Sequence, residues 1–244
     1  MIKDVLTDIV AHTHSLGFLP LVKITGEDIE TVIESMAEDR SVILMAKTHN
    51  PVTEFMGVFG MPNLDKLNLL LKNPEYKENA TIELVTGKRN GEEVATGLHF
   101  ENSDKDYTND FRFMSAQIIN EKLKSVKFKG TSWDVEFTPS INSANRLKLQ
   151  AQVHSEESKF KVRVENKDLI FSFGDASTHA GEFIFQPQVE GKLKQEWNWP
   201  IQQVLSILNL DGDMIMKISD QGAMMITVDS GIAEYNYILP AQTK

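Results

Sequence analysis

The chain contains no cysteine among its 244 residues, so disulfides, thiol nucleophiles and cysteine-ligated metals are excluded. It also has no apolar run near the roughly 18 residues that a membrane-spanning helix needs. The N-terminal residues Met1 to Val5 include Asp4 and lack the pattern of a secretory signal. These absences indicate a soluble globular protein, and they fit a reducing compartment such as the cytoplasm.

Enzymatic signatures are also missing. No His-Glu-x-x-His spacing, nucleophile elbow, phosphate-binding loop or dinucleotide fingerprint occurs. His12 and His14 lie two apart on a predicted helix and therefore point to different faces, so we interpret the histidines as surface residues. Asp211-Gly212-Asp213 lacks the remaining ligands of a calcium loop and indicates a turn. We predict no catalytic residue, no cofactor and no metal ion.

Positive charge is in deficit, with 25 Lys and Arg against 35 Asp and Glu and a net charge of −10. Taken alone, this argues against nucleic acid, because most nucleic-acid-binding proteins present a basic surface to the phosphates. Phosphates respond only to charges within a Debye length of about 8 to 10 Å. The position of the lysines and arginines in the fold therefore matters more than their total.

Apolar residues at helical spacing predict four helices. They run over Ile2–Leu16, Pro62–Lys72, from a Ser140 cap to about Ser155, and from near Pro200 to Leu210. The residues predicted to face inward are Ile2, Val5, Leu6, Ile9, Val10 and Leu16; Leu64, Leu67, Leu70 and Leu71; Ile141, Ala144, Leu147 and Ala151; and Ile201, Val204, Leu205 and Leu208.

Strands fill the intervals between these helices, with Lys88 to Gly91 as a hairpin turn. They are predicted at Phe18–Thr25, Ile29–Met36, Ser41–Thr48, Glu54–Phe59, Thr81–Thr86, Glu92–Phe100, Tyr107–Met114, Trp133–Thr138, Lys159–Glu165, Leu169–Phe173, Glu182–Gln186, Lys194–Trp199, Met214–Ser219, Ala223–Asp229 and Glu234–Leu239. Each half thus reads helix, strands, helix, strands, with equivalent helices displaced by roughly 140 positions. The pattern predicts an α+β protein of two similar domains, although two unrelated α+β domains would give the same order.

Several segments resemble DNA sliding clamps of the proliferating cell nuclear antigen family. The strand–turn–strand from Met214 to Asp229, followed by Ala233–Pro240, is similar to the C-terminal hairpin of those clamps. Three further matches follow the family order: Glu34-Ser35-Met36 before the Ser41–Thr48 strand, Phe55–Val58 before the Leu64–Lys72 helix, and Val135–Ser140 before the third helix. Their order along nearly the whole chain carries the resemblance.

The resemblance implies the DNA clamp fold, with an N-terminal domain at 1–116, an interdomain connector at 117–132 and a C-terminal domain at 133–244. Each domain would pack two helices on antiparallel sheets. Three subunits would form a ring around double-stranded DNA as a non-enzymatic polymerase processivity factor. The implied partners are DNA polymerase, a clamp-loader ATPase and other proteins that carry a clamp-binding motif.

One departure concerns the start of the chain. Cellular clamps open with a strand, whereas here the first predicted helix begins almost at Met1, which resembles T-even-type phage clamps. This favours a viral protein acting in the cytoplasm of an infected bacterial cell.

The DNA-facing residues would be cations on the polar faces of the helices: Lys3, Lys66, Lys72, Arg146 and Lys148. Outside a ring, such charges are typical of solvated helix faces. Inside a ring, they would contact phosphates without reading sequence. The fourth helix carries no basic residue, so an uneven lining is expected, with Lys192 and Lys194 just before that helix.

A partner-peptide pocket is the second implied site, carried over to Met36, Ile43, Leu123, Val126, Ala223, Tyr237 and Pro240. The connector beside it is basic, with Lys122, Lys124, Lys127 and Lys129, which departs from the acidic connectors of cellular clamps. Two alternatives to a clamp stay open at this point. One is a non-ring interaction scaffold with the same double domain, and the other is an α+β enzyme using carboxylates that the sequence does not reveal.

Overall fold

The computed structural model describes residues 2–89, 92–124, 128–175, 177 and 179–242. It is an α+β fold that divides into two compact units. Unit 1 comprises Met1–Glu38, Leu44–Lys127 and Ser230–Tyr235, and unit 2 comprises Asp39–Ile43, Phe128–Asp229 and Asn236–Lys244. Within the described ranges, no helix is both long and apolar enough to cross a membrane.

The described part of unit 1 contains three α-helices, two short 3₁₀ turns and two groups of antiparallel strands. The helices are α1 (Ile2–Ala11), α2 (Leu64–Lys72) and α3 (Ala116–Lys122). The strands are β1 (Val22–Gly26), β2 (Thr31–Met36), β3 (Ile43–Thr48), β4 (Gly57–Met61), β5 (Thr81–Arg89), β6 (Glu92–Glu101), β7 (Thr108–Arg112) and β8 (Met114–Ser115). In this unit they follow the orders β8-β4-β1-β2-β3 and β5-β6-β7.

Unit 2 contains two helices, α4 (Ile141–Val153) and α5 (Ile201–Leu208). Its strands are β9 (Val135–Phe137), β10 (Lys159–Glu165), β11 (Asp168–Phe173), β12 (Gly181–Gln186), β13 (Trp197–Pro200), β14 (Asp213–Ser219), β15 (Ala223–Asp229) and most of β16 (Ala233–Pro240). They follow the orders β12-β11-β10-β13 and β16-β15-β14-β9. The predicted alternation of helices and strands in both halves is therefore confirmed.

The first helix is shorter than predicted. Its inward stripe of Val5, Leu6, Ile9 and Val10 is buried, but α1 ends at Ala11 instead of Leu16. The Thr13 hydroxyl donates to the Ile9 carbonyl, a local bond that competes with helix continuation. A separate 3₁₀ turn follows and is closed by Gly17 at φ +82°, so the predicted glycine cap belongs to that turn.

The inward face of α4 differs from the prediction. Ser140 caps the helix as expected, with its Oγ accepting the Ser143 N–H at 3.0 Å. Leu147 is buried, but Ile141 is 84% exposed, so its predicted inward position was wrong. Leu147 sets the inward face, and six residues of helix place Ile141 well away from it.

Two histidines predicted at the surface are buried instead. His12 stacks on Tyr235 with ring centroids 4.3 Å apart, and its Nδ1 lies 2.9 Å from the Asp8 carbonyl oxygen. Asp8 also accepts hydrogen bonds from the Tyr235 hydroxyl at 2.7 Å and from the Ser230 hydroxyl at 3.0 Å. His154 lies under Phe173 with 5.5 Å between ring centroids. Both side chains belong to the packed interior of their own unit.

Helix α3 occupies part of the segment predicted to be a plain connector. Ser115 caps it, and Ile119 and Leu123 are buried one turn apart. Ile119 packs directly on Gly60 of β4, where an added Cβ would lie within 2.9 Å of three Ile119 side-chain atoms. The first part of the predicted connector is therefore a helix held on the sheet of unit 1.

Other boundaries moved by a few residues. The strand predicted at Lys194–Trp199 is β13, Trp197–Pro200, and α2 begins at Leu64 rather than Pro62. The predicted hairpin turn centres on Asn90 and Gly91, which lie outside the described residues, while the flanking β5 and β6 pair as far as Arg89 and Glu92.

Candidate nucleic-acid interface and partner site

The two cations on α2 are available to a ligand. Lys66 and Lys72 are both exposed, and neither forms an ion pair with another described residue. Lys3 on α1 differs, because its ammonium is half-buried and donates to the Tyr76 carbonyl. Of the three predicted DNA-facing residues in unit 1, the structure leaves two as open cations and commits Lys3 to its own unit.

The two cations on α4 also have different environments. The Arg146 Nη1 donates to the Ile184 carbonyl at 3.2 Å, and its guanidinium carbon lies 5.1 Å from the Phe183 ring centre. Arg146 therefore covers β12, the strand that holds both partners. Lys148 is exposed and lines a groove of about 370 Å³ between α4 and α5.

The groove between α4 and α5 is polar and nearly neutral. Ala144, Ala151 and Leu205 line it together with a larger set of hydrogen-bonding groups. That set is Asn145, Lys148, Gln152, Gln202, Ser206 and Asn209. Amides and a single ammonium can hydrogen-bond to phosphate or sugar oxygens directly or through water, and such contacts carry no sequence information.

Charge is distributed unevenly between the helices and the rest of the chain. α1 carries one cation and two carboxylates, α2 two cations and one carboxylate, α4 two cations alone, and α5 neither. The four helices thus have a net formal charge of +2, while the whole chain has −10. The acidic excess therefore lies outside these helices.

The residues predicted for a peptide pocket are divided between the two units. In unit 1, Met36 is half-buried at the end of β2 and Leu123 is buried after α3. Val126 lies outside the described residues. The peptide-pocket role of Met36, Leu123 and Val126 therefore stays a prediction.

In unit 2, which includes the first residue of β3, Ile43 and Ala223 are half-buried, Pro240 is exposed and Tyr237 is fully buried. Ala223 and Pro240 are brought close together, because the Ala241 N–H donates to the Gly222 carbonyl at 2.9 Å. Tyr237 has no accessible surface in unit 2, so any part it plays there would be as support beneath the surface.

Sequence reasoning missed Trp197 beside this group. Its ring lies 3.3 Å from the position of a Cβ on Gly222, and its Nε1 donates to the Asp220 carbonyl at 3.0 Å. Asp220 in turn accepts from the backbone N–H groups of Lys194 and Gln195 at 2.7 and 3.0 Å. Tryptophan is rare in this chain, and that rarity was the feature of the sequence that could have pointed to Trp197.

Two exposed strands carry charged pairs. The ring nitrogen of His99 on β6 lies 2.9 Å from Asp110 on β7, and this hydrogen bond, with Arg112, lowers the pKa of the Asp110 carboxyl below its ordinary value. Beside β12, Arg163 binds Glu182 at 2.9 Å and Glu165 at 3.3 Å. Glu182 first, and then Glu165, raise the pKa of Arg163. Across the described ranges, no three His, Asp or Glu side chains are grouped to hold a metal ion.

The chain matches known proteins in structure but not in sequence. No protein-family model matches the chain, and no curated protein matches it in sequence. Among solved structures, A. fulgidus PCNA bound to the C-terminal region of FEN-1 is similar with a TM-score of 0.71 and 8% identity, covering 99% of this chain and 96% of that one.

Two further PCNA structures agree. Thermococcus kodakaraensis PCNA has a TM-score of 0.69 at 10% identity, covering 97% of each chain. The Entamoeba histolytica protein has 0.66 at 13% identity, covering 96% of this chain and 95% of that chain. The predicted clamp fold of two similar domains is therefore confirmed over nearly the full length of the chain.

Proposed function

We propose that this chain, which has the PCNA fold, is a sliding clamp that encircles double-stranded DNA and tethers a DNA polymerase to it. The observation that carries the proposal is the full-length clamp fold combined with cations placed on helices of an otherwise acidic chain. Contacts made by a few lysines and amides would hold DNA loosely and without sequence preference. No catalytic role is assigned to any residue.

A ring, of three subunits as the resemblance implies, is supported by two edge strands that are each paired on one side only. Among the described strands, β7 in unit 1 and β12 in unit 2 each have one neighbour, as do β5, β8, β9 and β13. Edge strands present free N–H and C=O groups that another chain can pair with. Pairing β7 of one subunit with β12 of the next would make a head-to-tail contact, which generates a closed ring if the rotation fits.

Exposed apolar side chains lie beside both edges. Leu69 is exposed on α2, which packs on β7, and Tyr107 is exposed just before that strand. In unit 2, Ile184 on β12 is exposed, as are Leu149 and Val153 on α4, which packs on β12. Burying these side chains between subunits would add apolar contact to the strand pairing.

The test is the solution mass of two matched variants. Ile184 and Ile215 are each 40% exposed on strands of unit 2, but only Ile184 lies on the β12 edge. We expect light scattering to give three times the mass of one chain for the parent and for Ile215→Glu. Ile184→Glu should give the mass of a single chain, because a carboxylate would be buried at the interface. A parent that is monomeric at micromolar concentration would refute the ring.

We also propose that the clamp binds segments of partner proteins. Because A. fulgidus PCNA binds the C-terminal region of FEN-1, we expect short terminal segments of replication proteins to bind here as well. The predicted pocket residues Ala223 and Pro240 have accessible surface for such a segment. We further propose that the clamp works with a DNA polymerase and an ATP-driven loader in the cytoplasm of an infected bacterial cell. This part of the proposal rests on the resemblance to phage clamps.

A further inference from the structure

A second candidate site lies entirely within unit 1, beside the N-terminal end of α1. It is a cavity of about 280 Å³. Val5, Val52 and Ile232 give it an apolar floor, and Asp4, Glu54 and Asn50 also line it. None of these residues belongs to the predicted peptide pocket. The volume is just below the roughly 300 Å³ at which cavities begin to accept drug-sized ligands, which suits one or two peptide side chains.

The walls of this cavity are fixed by hydrogen bonds. The Val52 N–H donates to the Thr31 hydroxyl at 2.9 Å, and the Thr48 hydroxyl donates to the Thr31 carbonyl at 3.4 Å. On the other side, the His49 N–H donates to the Ile232 carbonyl at 2.9 Å. The loop after β3 is thus held to β2 and to the turn before β16, so binding there would require little ordering.

The surface around the cavity is acidic. Asp4 is exposed and Glu54 half-buried at the cavity itself. The turn between β1 and β2 adds Glu27 and Asp28, both exposed. This turn adjoins the same loop, because a Cβ on Gly26 would collide with the Phe55 carbonyl.

One cation beside that turn, Lys47 on β3, is paired with Glu30 at 2.7 Å. These two segments also carry exposed apolar side chains: Ile29 is 81% exposed on the turn, and Met56 is 46% exposed on the loop. Carboxylates around an apolar concavity select a ligand with cations around an apolar anchor.

We propose that this cavity binds a basic segment of a partner protein, which inserts one aliphatic side chain between Val5, Val52 and Ile232. Lysines or arginines on either side of the anchor would face Asp4, Glu54 and the acidic turn. The apolar floor supplies affinity for the anchor, and the carboxylates reject acidic segments. The site lies within one subunit and is independent of ring closure and of DNA.

The probe is the peptide acetyl-Lys-Lys-Leu-Lys-Lys-amide, titrated into the isotope-labelled full chain at low salt and followed by amide NMR. We expect shifts at Asn50, Val52 and Ile232. Replacing the peptide leucine by glycine should weaken binding about tenfold, because the anchor loses its burial. Asp4→Asn and Glu54→Gln should each weaken binding about threefold, which is the scale of an exposed ion pair.

Two tryptophan variants separate the cavity from general surface charge. Asn50→Trp should fill the mouth of the cavity and abolish the shifts, whereas Ser103→Trp, in an exposed turn of the same unit, should leave them unchanged. Binding that is equally tight without the leucine, or that is not weakened by Asp4→Asn and Glu54→Gln, would overturn the proposal. If Asn50→Trp does not fold, those carboxylate variants decide. Light scattering of the same samples reports ring formation separately, so either result can fail alone.

Discussion

Single side chains two residues apart on α4 have separate roles. The Arg146 guanidinium is held against β12 by Ile184 and Phe183, while the Lys148 ammonium is exposed at the α4–α5 groove. Helical spacing alone places both on a polar face, and so both were predicted to face DNA. The difference arises from β12, which the sequence does not place next to the helix.

We expect the two substitutions to affect different measurements. Lys148→Gln should weaken binding to a short duplex and reduce the salt slope by about one per subunit, since one phosphate contact is lost. Arg146→Gln should leave that salt slope nearly unchanged. It should lower the average mass measured by light scattering, because β12 loses its cover and fewer chains assemble into trimers. Fluorescence anisotropy across a salt series and light scattering provide the two readouts. Equal salt slopes for both variants would contradict this assignment.

Asp110 on β7 has a carboxyl group whose pKa is lowered by its neighbours. Its hydrogen bond to His99, and then the nearby Arg112, lower its pKa below the ordinary 3.8. A lowered folded-state pKa gives stability that is present above the ordinary value and lost as pH falls through the folded-state value. Carboxyl-carbon NMR should show Asp110 titrating below 3.8 in the parent and closer to it in His99→Ala. An unchanged midpoint in His99→Ala would contradict the assigned cause.

The packing of helix α3 on the sheet of unit 1 requires a glycine at one position of β4. Gly60 on β4 is buried beneath Ile119, where a Cβ would lie within 2.9 Å of that side chain. Gly60→Ala should therefore destabilise the chain by about 1–3 kcal/mol, the usual cost of overpacking. Urea unfolding measures the change.

Gly87→Ala is the control, because its Cβ would come no closer than 3.1 Å to the Thr96 methyl, a contact that a shift of a few tenths of an ångström relieves. We expect it to cost much less than Gly60→Ala. Equal costs for the two variants would show that the α3 contact is not the cause.

Predictability from sequence varied between elements for physical reasons. α2 and α5 have one clear apolar stripe, and their inward residues Leu64, Leu67, Ile201 and Val204 are buried as predicted. α4 carries as many apolar residues on its outer side as on its inner side, so the pattern could not choose the face. The exposed Leu149 and Val153 suit a subunit contact, a constraint that a single chain does not display.

The site residues also differ in how far the sequence predicts their environments. Lys66, Lys72, Arg146 and Lys148 are exposed on their helices as predicted, because those positions depend only on helical spacing. It did not predict the commitment of Lys3 to the Tyr76 carbonyl, which joins positions 73 residues apart. The signal for α3 was present in the Ser115 cap and the Ile119–Leu123 spacing, but that stretch was interpreted as a connector.

For the whole molecule, a ring predicts retention by topology rather than by affinity. Loaded protein should remain on nicked circular plasmid at salt concentrations that abolish duplex binding, and cutting the plasmid should release it. Gel filtration of the complex before and after cutting measures this. Ile184→Glu should not be retained on either form, and Ile215→Glu should behave as the parent. Retention on linear DNA with open ends would contradict encirclement.

The inequality of β7 and β12 gives the proposed assembly a direction. A contact between two different strands relates subunits by rotation about a single axis and provides no two-fold axis across it. The two faces of the ring would therefore be chemically distinct, and every subunit would present its partner site to the same side. A clamp threaded onto DNA in the reverse orientation would turn those sites away from the primer end, so orientation would become a property that the loading step has to select.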